Sequence, residues 1–134
     1  MGLVIDLDGE IWFYLKGADS IMKDRIKITY EPIILEETES LSREGLRTLV
    51  LAYKKLDPAY YKAWSEKYKN DCSALVDKEL RTGASIAELE RDMEFAGITA
   101  VEDKLQHGVY SCIEILKSAG IKIWMLTGDK LETA

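Results

Sequence analysis

The order of apolar and polar residues at the start of the chain predicts a β-hairpin. Two β-rich runs, residues 3–5 and 11–15, flank the dipeptide Asp8-Gly9. Asp-Gly between apolar runs is a strong signal for a two-residue turn, because both central positions of that turn need a positive φ. After the second run, Asp19 is expected to cap a short helix.

The next part of the pattern predicts one helix and one strand. The acidic stretch from Tyr30 to about Ser42 is expected to be helical, and Gly45 is a helix stop signal. Residues 46–53 then form a near-continuous apolar run that is typical of a buried strand. Arg47 stands out within this strand, because an arginine among apolar residues is costly unless it is paired or contacts an anion.

Apolar and aromatic residues then recur every four positions, which predicts an amphipathic helix that begins at Asp57-Pro58. The members of this stripe are Tyr60, Trp64, Tyr68, Cys72, Val76 and Leu80. We expect the stripe to pack on a sheet rather than to stack on nucleic-acid bases. Gly83 is expected to break the chain, and the capping-box sequence from Ser85 to Glu88 predicts a new short helix.

The last third of the chain predicts a strand, a helix and a second strand. The two strands are residues 93–101 and 121–126, and the helix between them is expected to begin near Asp103 and to end at Gly120. This order is typical of a βαβ unit with parallel strands. The whole pattern therefore predicts an α+β fold, with an antiparallel sheet and packed helices first and a short βαβ segment at the end.

Composition and charge narrow the class of protein. The chain has 134 residues, of which 47% are hydrophobic and 31% are charged, so it can bury a core. Lys plus Arg number 18 against 24 Asp plus Glu, and the resulting net charge of −6 argues against binding to nucleic acid. No apolar run approaches the roughly 20 residues of a membrane-spanning helix. Two cysteines, Cys72 and Cys112, are too few for a disulfide framework.

Three segments are candidates for holding a phosphorylated ligand. Thr127-Gly128-Asp129 follows the last predicted strand, and ligands of open α/β sheets bind at the carboxyl ends of strands. A plain strand-to-helix turn explains the same residues equally well. Lys16-Gly17 could approach a nucleotide, although an exposed lysine before a turn is the simpler interpretation. Arg47 is the third candidate, with an ion pair to the acidic stretch as its alternative.

The start of the chain also fits a different chemistry. Residues 4–9 (VIDLDG) resemble the nucleophile motif of haloacid-dehalogenase (HAD)-type phosphatases, in which Asp6 would be phosphorylated and Asp8 would be the general acid/base. Glu10 stands where that family usually has a small hydroxyl residue, and its carboxylate would repel phosphate. We therefore prefer the hairpin turn. His107 is the only histidine, which excludes a site that binds a metal through two histidines of this chain.

Four short segments, taken in order, resemble type IV P-type ATPases, the phospholipid flippases. They are residues 13–19 (FYLKGAD), 43–49 (REGLRTL), 97–106 (GITAVEDKLQ) and 120–134 (GIKIWMLTGDKLETA). Leu131 in the last segment indicates the Neo-type branch of endosomes and the Golgi. The resemblance covers nearly the whole chain.

The resemblance implies two domains and a role for each candidate residue. Residues 1–92 would be the C-terminal part of the nucleotide-binding domain, and residues 93–134 would be part of the HAD-like phosphorylation domain. Lys16-Gly17 would line the pocket for the adenine or ribose end of ATP, and Arg47 would contact its phosphates or ribose. Thr127 and Gly128 would meet the terminal phosphoryl group in the phosphorylation domain, with Asp129 beside them in the ATP and magnesium site.

The expected function is that of the ATP-binding cytosolic portion of a phospholipid-translocating P-type ATPase. The resemblance implies ATP and Mg²⁺ as cofactors, an aspartyl-phosphate intermediate, and lipid movement toward the cytosolic leaflet. The motif of the phosphorylated aspartate is absent from this sequence, so the piece is expected to contain no catalytic residue and no metal ligand and to be inactive alone.

The expected partners and location also follow from the resemblance. The parent would be an integral protein of Golgi or endosomal membranes, with this segment on the cytoplasmic face, a phospholipid substrate and an accessory subunit. Exposed strand edges predict self-association of the chain. Two alternatives stay open at this point: a stand-alone phosphatase that uses Asp6 and Asp8, and a noncatalytic nucleotide-binding or interaction module.

Overall fold

The computed structural model of the chain describes residues 1–102, 104 and 106–128. Within these residues it has four strands and five helices, with one 3-10 turn, Ile28–Tyr30. The strands are β1 Gly2–Leu7, β2 Glu10–Gly17, β3 Arg47–Leu56 and β4 Glu94–Val101. The helices are α1 Asp19–Met22, α2 Glu31–Arg43, α3 Pro58–Cys72, α4 Lys78–Leu89 and α5 Val109–Ser118.

The hairpin predicted at the start of the chain is confirmed. β1 and β2 pair antiparallel, and Asp8 and Gly9 between them have φ angles of 54° and 85°. The backbone N–H of Gly9 donates a hydrogen bond of 2.9 Å to Oδ1 of Asp6. The Asp-Gly pair therefore supplies the two left-handed positions that a tight hairpin needs.

A single antiparallel sheet with the order β1-β2-β3-β4 organises the described part of the chain. Tyr14 on β2 lies opposite Tyr53 on β3, and Val50 on β3 lies opposite Ile98 on β4. The predicted α+β fold with an antiparallel sheet and packed helices is confirmed.

The hydrophobic core lies between one face of the sheet and the helices. Alternate residues of β2 and β3 point into it, because successive side chains of a strand leave opposite faces. Helices α1 and α2 contribute Met22 and Ile34 to the same cluster, and Trp64 of α3 packs against it. The buried members are Phe13, Leu15, Met22, Ile26, Ile34, Val50, Ala52, Leu56, Leu89 and Met93.

The predicted start of α3 is confirmed, whereas the start of α1 differs in detail. The Asp57 carboxylate accepts hydrogen bonds from the N–H groups of Ala59 and Tyr60, at 2.9 and 3.0 Å, so Asp57 is the cap. In α1, Asp19 is the first helical residue, and Ala18 occupies the cap position. An acidic side chain in the first turn is still favourable there, because it faces the positive end of the helix dipole.

The long helical stripe is divided between two helices, which corrects the predicted single helix. α3 ends at Cys72, so Val76 and Leu80 lie outside it and are 72% and 75% exposed. Ser85 lies in the interior of α4 rather than at its start, and Gly83 does not break that helix. The reason is packing: α4 folds against α3, and the buried Ser85 supplies polar contacts between the two helices.

The predicted βαβ unit at the end of the chain is not formed. Residues 94–101 are a strand, as expected, but this strand pairs antiparallel with β3. Helix α5 is present and is followed by Gly120 at φ 75°, yet residues 121–128 form no strand. A strand is stabilised by a hydrogen-bonded neighbour, and no described strand pairs with this segment. The HAD-like ending is therefore not confirmed.

Two other expectations about the organisation stay untested. The division into domains between residues 92 and 93 stays a prediction, although β4 belongs to the same sheet as β1 to β3. The predicted cap Asp103 lies outside the described residues. None of the described helices has both the length and the apolar character needed to cross a bilayer.

Candidate functional site

The face of the sheet opposite the core carries two of the predicted site residues. On β2, Phe13 and Leu15 are buried, whereas Tyr14 and Lys16 are exposed on the other side. Strand alternation and register extend this surface to the neighbouring strands, and we call it the open face. Its members include Leu3, Ile5, Trp12, Tyr14, Lys16, Arg47, Leu49, Leu51, Tyr53, Lys55, Thr99 and Val101.

The strand register brings Lys16 and Arg47 to the same end of the open face. Lys16 lies opposite Leu51, and Arg47 precedes Leu51 by four positions on β3, so both side chains leave the same face. The two Cα atoms are separated by four residues along the strand direction and by the distance between two neighbouring strands, which together amount to about 14 Å. Both side chains are exposed and long, so their charged groups can contact one extended anionic ligand.

Gly17 has a structural reason to be a glycine. It ends β2 opposite Val50, so its α-carbon faces the core side of the sheet. A Cβ atom at this position would lie 3.3 Å from Sδ and 3.4 Å from Cγ of Met22. This spacing is slightly tight, so a larger residue would require the flexible Met22 side chain to shift by a few tenths of an ångström. A role of Gly17 in lining a nucleotide pocket stays a prediction.

Aromatic rings occupy the middle of the open face. The ring centroid of Tyr53 lies 6.0 Å from that of Trp12 and 6.3 Å from that of Tyr14, and the ring planes are tilted by 44° and 31°. The ammonium group of Lys55 lies 5.8 Å from the centroid of Trp12, a cation–π geometry. This aromatic part of the face lies next to the end that carries Lys16.

An ion pair compensates one of the cations of the open face. Nζ of Lys55 donates a hydrogen bond to the carboxylate of Glu10, near the hairpin turn. This hydrogen bond, together with the charge of Lys55, lowers the pKa of the Glu10 carboxyl. Lys55 therefore has a carboxylate partner and is a weaker candidate for binding an anion than Lys16 is.

The remaining predicted site residues lie in the C-terminal part of the chain. Thr127 and Gly128 are exposed and belong to the segment that pairs with none of the described strands. Asp129 lies outside the described residues. The structure therefore places Lys16 and Arg47 at one end of the open face, with Gly17 at the same sheet end but facing the core, and it does not place Thr127 and Gly128 at the end of a strand.

The phosphatase alternative gains no support from the structure. Asp6 lies on an antiparallel strand and accepts the hydrogen bond that closes the hairpin, and Asp8 occupies the left-handed turn position. Both carboxylates belong to a turn rather than to the carboxyl end of a parallel strand, where the ligands of α/β sheets bind. Among the described residues, no three His, Cys, Asp or Glu side chains converge in a way that could hold a metal ion.

Comparison with known proteins decides the family. A family model described as "P-type ATPase, cytoplasmic domain N" matches residues 10–108. The chain belongs to this family. The matched range contains β2, β3 and β4, and with them Lys16 and Arg47 of the N domain.

Relatives of this N domain carry names that refer to phospholipid transport. The chain is 44% identical over 136 residues to "Probable phospholipid-transporting ATPase IIB" of Danio rerio, and 44% identical over 138 residues to "Phospholipid-transporting ATPase NEO1" of Saccharomyces cerevisiae. Each match covers 100% of the chain and 12% of the relative. "Phospholipid-transporting ATPase ID" of Homo sapiens is 44% identical over 135 residues, which cover 98% of the chain and 11% of that protein.

These comparisons confirm the family resemblance, and they show how small a part of the relatives this N domain represents. The chain spans about an eighth of the length of the relatives it matches. The noncatalytic interaction module, like the phosphatase, gains no support from them.

Several residues of the open face were not found from the sequence. Tyr53 and Leu49 belong to a strand that reads as a continuous apolar run, so the pattern did not separate its two faces. The alternation of exposed and buried positions on β2 is the signal that identifies the residues of β3 on the open face. Tyr14 is exposed, and once β2 is aligned with β3, Tyr53 lies opposite Tyr14 on the same face.

Proposed function

We propose that this chain is the ATP-binding cytosolic portion of a phospholipid-translocating P-type ATPase. The observation that carries the proposal is the register of β2 and β3, which sets Lys16 and Arg47 on one end of the open face. Membership of the N-domain family makes a nucleotide the ligand to expect at such a face.

The proposed binding mode follows from the chemistry of the two cations. The Arg47 guanidinium presents a planar set of donors that suits phosphate oxygens, whereas the Lys16 ammonium is a compact charge on a flexible stem. We assign Arg47 to the phosphates or ribose and Lys16 to the adenine or ribose end. The separation of about 14 Å between their Cα atoms suits a ligand that is longer than a single phosphate.

Magnesium belongs to the proposed activity of the whole protein rather than to a site formed by the described residues. These residues supply no converging set of three carboxylate, imidazole or thiol ligands. Mg²⁺ would therefore arrive with the nucleotide and would be held by other parts of the protein. The chain's own contribution is to bind and orient ATP.

The rest of the proposal concerns the parent protein. It hydrolyses ATP through an aspartyl-phosphate and moves phospholipid toward the cytosolic leaflet of Golgi or endosomal membranes, together with an accessory subunit. Residues 1–92 belong to its nucleotide-binding domain and residues 93–134 to its phosphorylation domain. There Thr127 and Gly128 meet the terminal phosphoryl group, with Asp129 beside them in the ATP and magnesium site. The relatives' names, which refer to phospholipid-transporting ATPases, support this assignment.

Calorimetric titration of the folded chain with ATP tests the proposal. Lys16→Ala and Arg47→Ala should each weaken binding about tenfold, because each removes a charge-assisted contact. Lys62→Ala, which removes an exposed lysine of α3, is the matched control and should bind like the wild type. AMP should bind more weakly than ATP, and this difference should shrink in Arg47→Ala. Equal affinities for all four proteins would contradict the proposed site.

A further inference from the structure

Thr99 is a hydroxyl side chain of the open face that lies between the two cations of the proposed site. Residues opposite one another on neighbouring strands form a row across the sheet. Thr99 on β4 and Leu49 on β3 form one such row. Lys16 lies two residues away, in the row of Leu51, and Arg47 lies two residues away on the other side. A ligand that contacts both cations therefore passes over the row of Leu49 and Thr99.

Strand geometry sets the distances between Thr99 and the two cations. Thr99 and Arg47 lie on neighbouring strands, two residues apart along the strand direction, so their Cα atoms are about 8 Å apart. Lys16 is one strand further across the sheet, and its Cα atom lies about 12 Å from that of Thr99. Lysine and arginine side chains are long enough to extend over the row between them. The Thr99 hydroxyl therefore lies beside the middle of a ligand whose two ends contact the cations.

The hydrogen bond of Thr99 decides which kind of ligand group its hydroxyl suits. Oγ1 of Thr99 donates a long hydrogen bond, of 3.3 Å, to the backbone carbonyl of Leu49. A hydroxyl has one O–H donor and two acceptor lone pairs. Because the bond to Leu49 uses the donor, Thr99 offers an acceptor to a ligand. It therefore suits a group that donates, such as a sugar hydroxyl, and it does not suit the oxygens of an ionised phosphate, which only accept.

The neighbours of Thr99 on the open face are apolar. Leu49 and Leu51 lie across from it on β3, and Gly97 and Val101 flank it on β4. A Cβ atom at Gly97 would meet nothing within 4 Å beyond its chain neighbours, so this side of Thr99 has room for a ligand. Among the described strand residues in these rows of the open face, Thr99 is therefore the one uncharged side chain with a hydrogen-bonding group.

We propose that Thr99 recognises the ribose of the nucleotide by accepting a hydrogen bond from a sugar hydroxyl. The inference rests on the proposed function, which assigns the adenine end to Lys16 and the phosphates to Arg47. The ribose joins these two parts of ATP, so it lies over the row of Leu49 and Thr99. The strands that fix these positions, β2 to β4, lie within residues 10–108, which match the N domain. Thr99 thus sets a preference for a ribonucleotide over a deoxynucleotide.

Calorimetric titrations with ATP, 2′-deoxy-ATP and 3′-deoxy-ATP test this contact. The wild type should bind ATP about three- to tenfold more tightly than the analogue that lacks the contacted hydroxyl. Thr99→Val keeps the shape of the side chain and removes its hydroxyl, so affinity for ATP should fall by the same factor and the preference should disappear. Thr99→Ser keeps the hydroxyl and should keep the preference. Thr48→Val, the same exchange on the opposite face of β3, is the matched control and should bind all three nucleotides like the wild type.

The results separate a wrong Thr99 contact from a wrong binding site. If Lys16→Ala and Arg47→Ala weaken ATP binding but Thr99→Val keeps the wild-type preference, the ribose contact is wrong and the site stands. The same holds if the wild type has no preference, or if Thr99→Val weakens binding of all three nucleotides equally, which is the result of a purely structural role. If the wild type does not bind ATP, or both cation variants bind it equally well, the proposed function and the Thr99 contact are both wrong.

Discussion

The indole Nε1 of Trp64 donates a hydrogen bond of 2.8 Å to the backbone carbonyl of Ser85, and it thereby joins α3 to α4. The Ser85 hydroxyl in turn donates a bond of 2.6 Å to the carboxylate of Asp71 on α3. Ser85 is fully buried, so both bonds lie within the helix pair. Two polar contacts on one buried serine therefore fix how α4 rests on α3 beside the sheet.

Ser85→Ala should destabilise the fold by about 1–2 kcal/mol, because a partly buried hydrogen bond to a carboxylate is lost and Asp71 loses a partner. Urea denaturation followed by circular dichroism measures the change in the free energy of unfolding. Ser73→Ala is the control: its hydroxyl donates to the carbonyl of Lys69 at an exposed helix end, and its loss should cost less than about 0.5 kcal/mol. Equal effects of both substitutions would contradict the structural role of Ser85.

Two glycine-to-alanine substitutions should change stability in opposite directions. Gly83→Ala should stabilise the chain by about 0.5–1 kcal/mol, because Gly83 lies inside α4 and the added Cβ would meet nothing within 4 Å beyond its chain neighbours and the helix's own backbone. Gly9→Ala should destabilise it by about 1–2 kcal/mol, because Gly9 has a φ of 85°. Thermal unfolding of both variants beside the wild type measures the difference. A stabilising Gly9→Ala would show that the hairpin turn has another conformation.

Acid should weaken the contact between Glu94 and the residues that precede α2. Glu94 accepts hydrogen bonds from Lys27 and from the Tyr30 hydroxyl, the latter at 3.1 Å, and the Lys27 bond is the larger cause of the lowered Glu94 pKa. A carboxyl with a lowered pKa stabilises the folded state above its unfolded pKa, and this stabilisation disappears as pH falls through the folded value.

Unfolding midpoints measured between about pH 6 and pH 3 test this contact. The wild type should lose stability toward the acid end, and Glu94→Gln should lose less over the same range. Glu37→Gln, at an exposed position of α2, is the control and should follow the wild type. An identical pH profile for Glu94→Gln and the wild type would show that the Glu94 contact does not contribute.

Local signals predicted the hairpin and the start of α3, because Asp8-Gly9 and Asp57-Pro58 act within a few residues of themselves. Other predictions depended on contacts between residues that are distant along the chain, and local patterns contain no information about those contacts. The local pattern from Ser85 to Glu88 is that of a helix cap. The hydroxyl of Ser85 instead bonds to Asp71, which lies 14 positions away along the chain and is invisible to a local pattern. Residues 121–126 have the composition of a strand, but strand formation depends on a neighbour that no described strand provides.

The candidate site was predicted in part. Motif resemblance identified Lys16 and Arg47 as separate candidates, and their shared face follows only from the register of β2 with β3. The near-continuous apolar run of β3 concealed which of its residues lie on the open face, and Tyr53 was therefore missed. Side-chain alternation on a neighbouring strand carries information that a single apolar run does not contain.

Chemical-shift mapping of the isotope-labelled chain during an ATP titration is the most direct test of nucleotide binding at the end of the open face that carries Lys16 and Arg47. We predict that amide signals of Lys16, Gly17 and Leu49 move in a saturable way, while those of Asp8 and Gly9 at the far hairpin turn stay in place. Shifts that gather at the hairpin turn, or a spectrum of the folded chain that does not change at millimolar ATP, would contradict nucleotide binding at the Lys16 and Arg47 end of the open face.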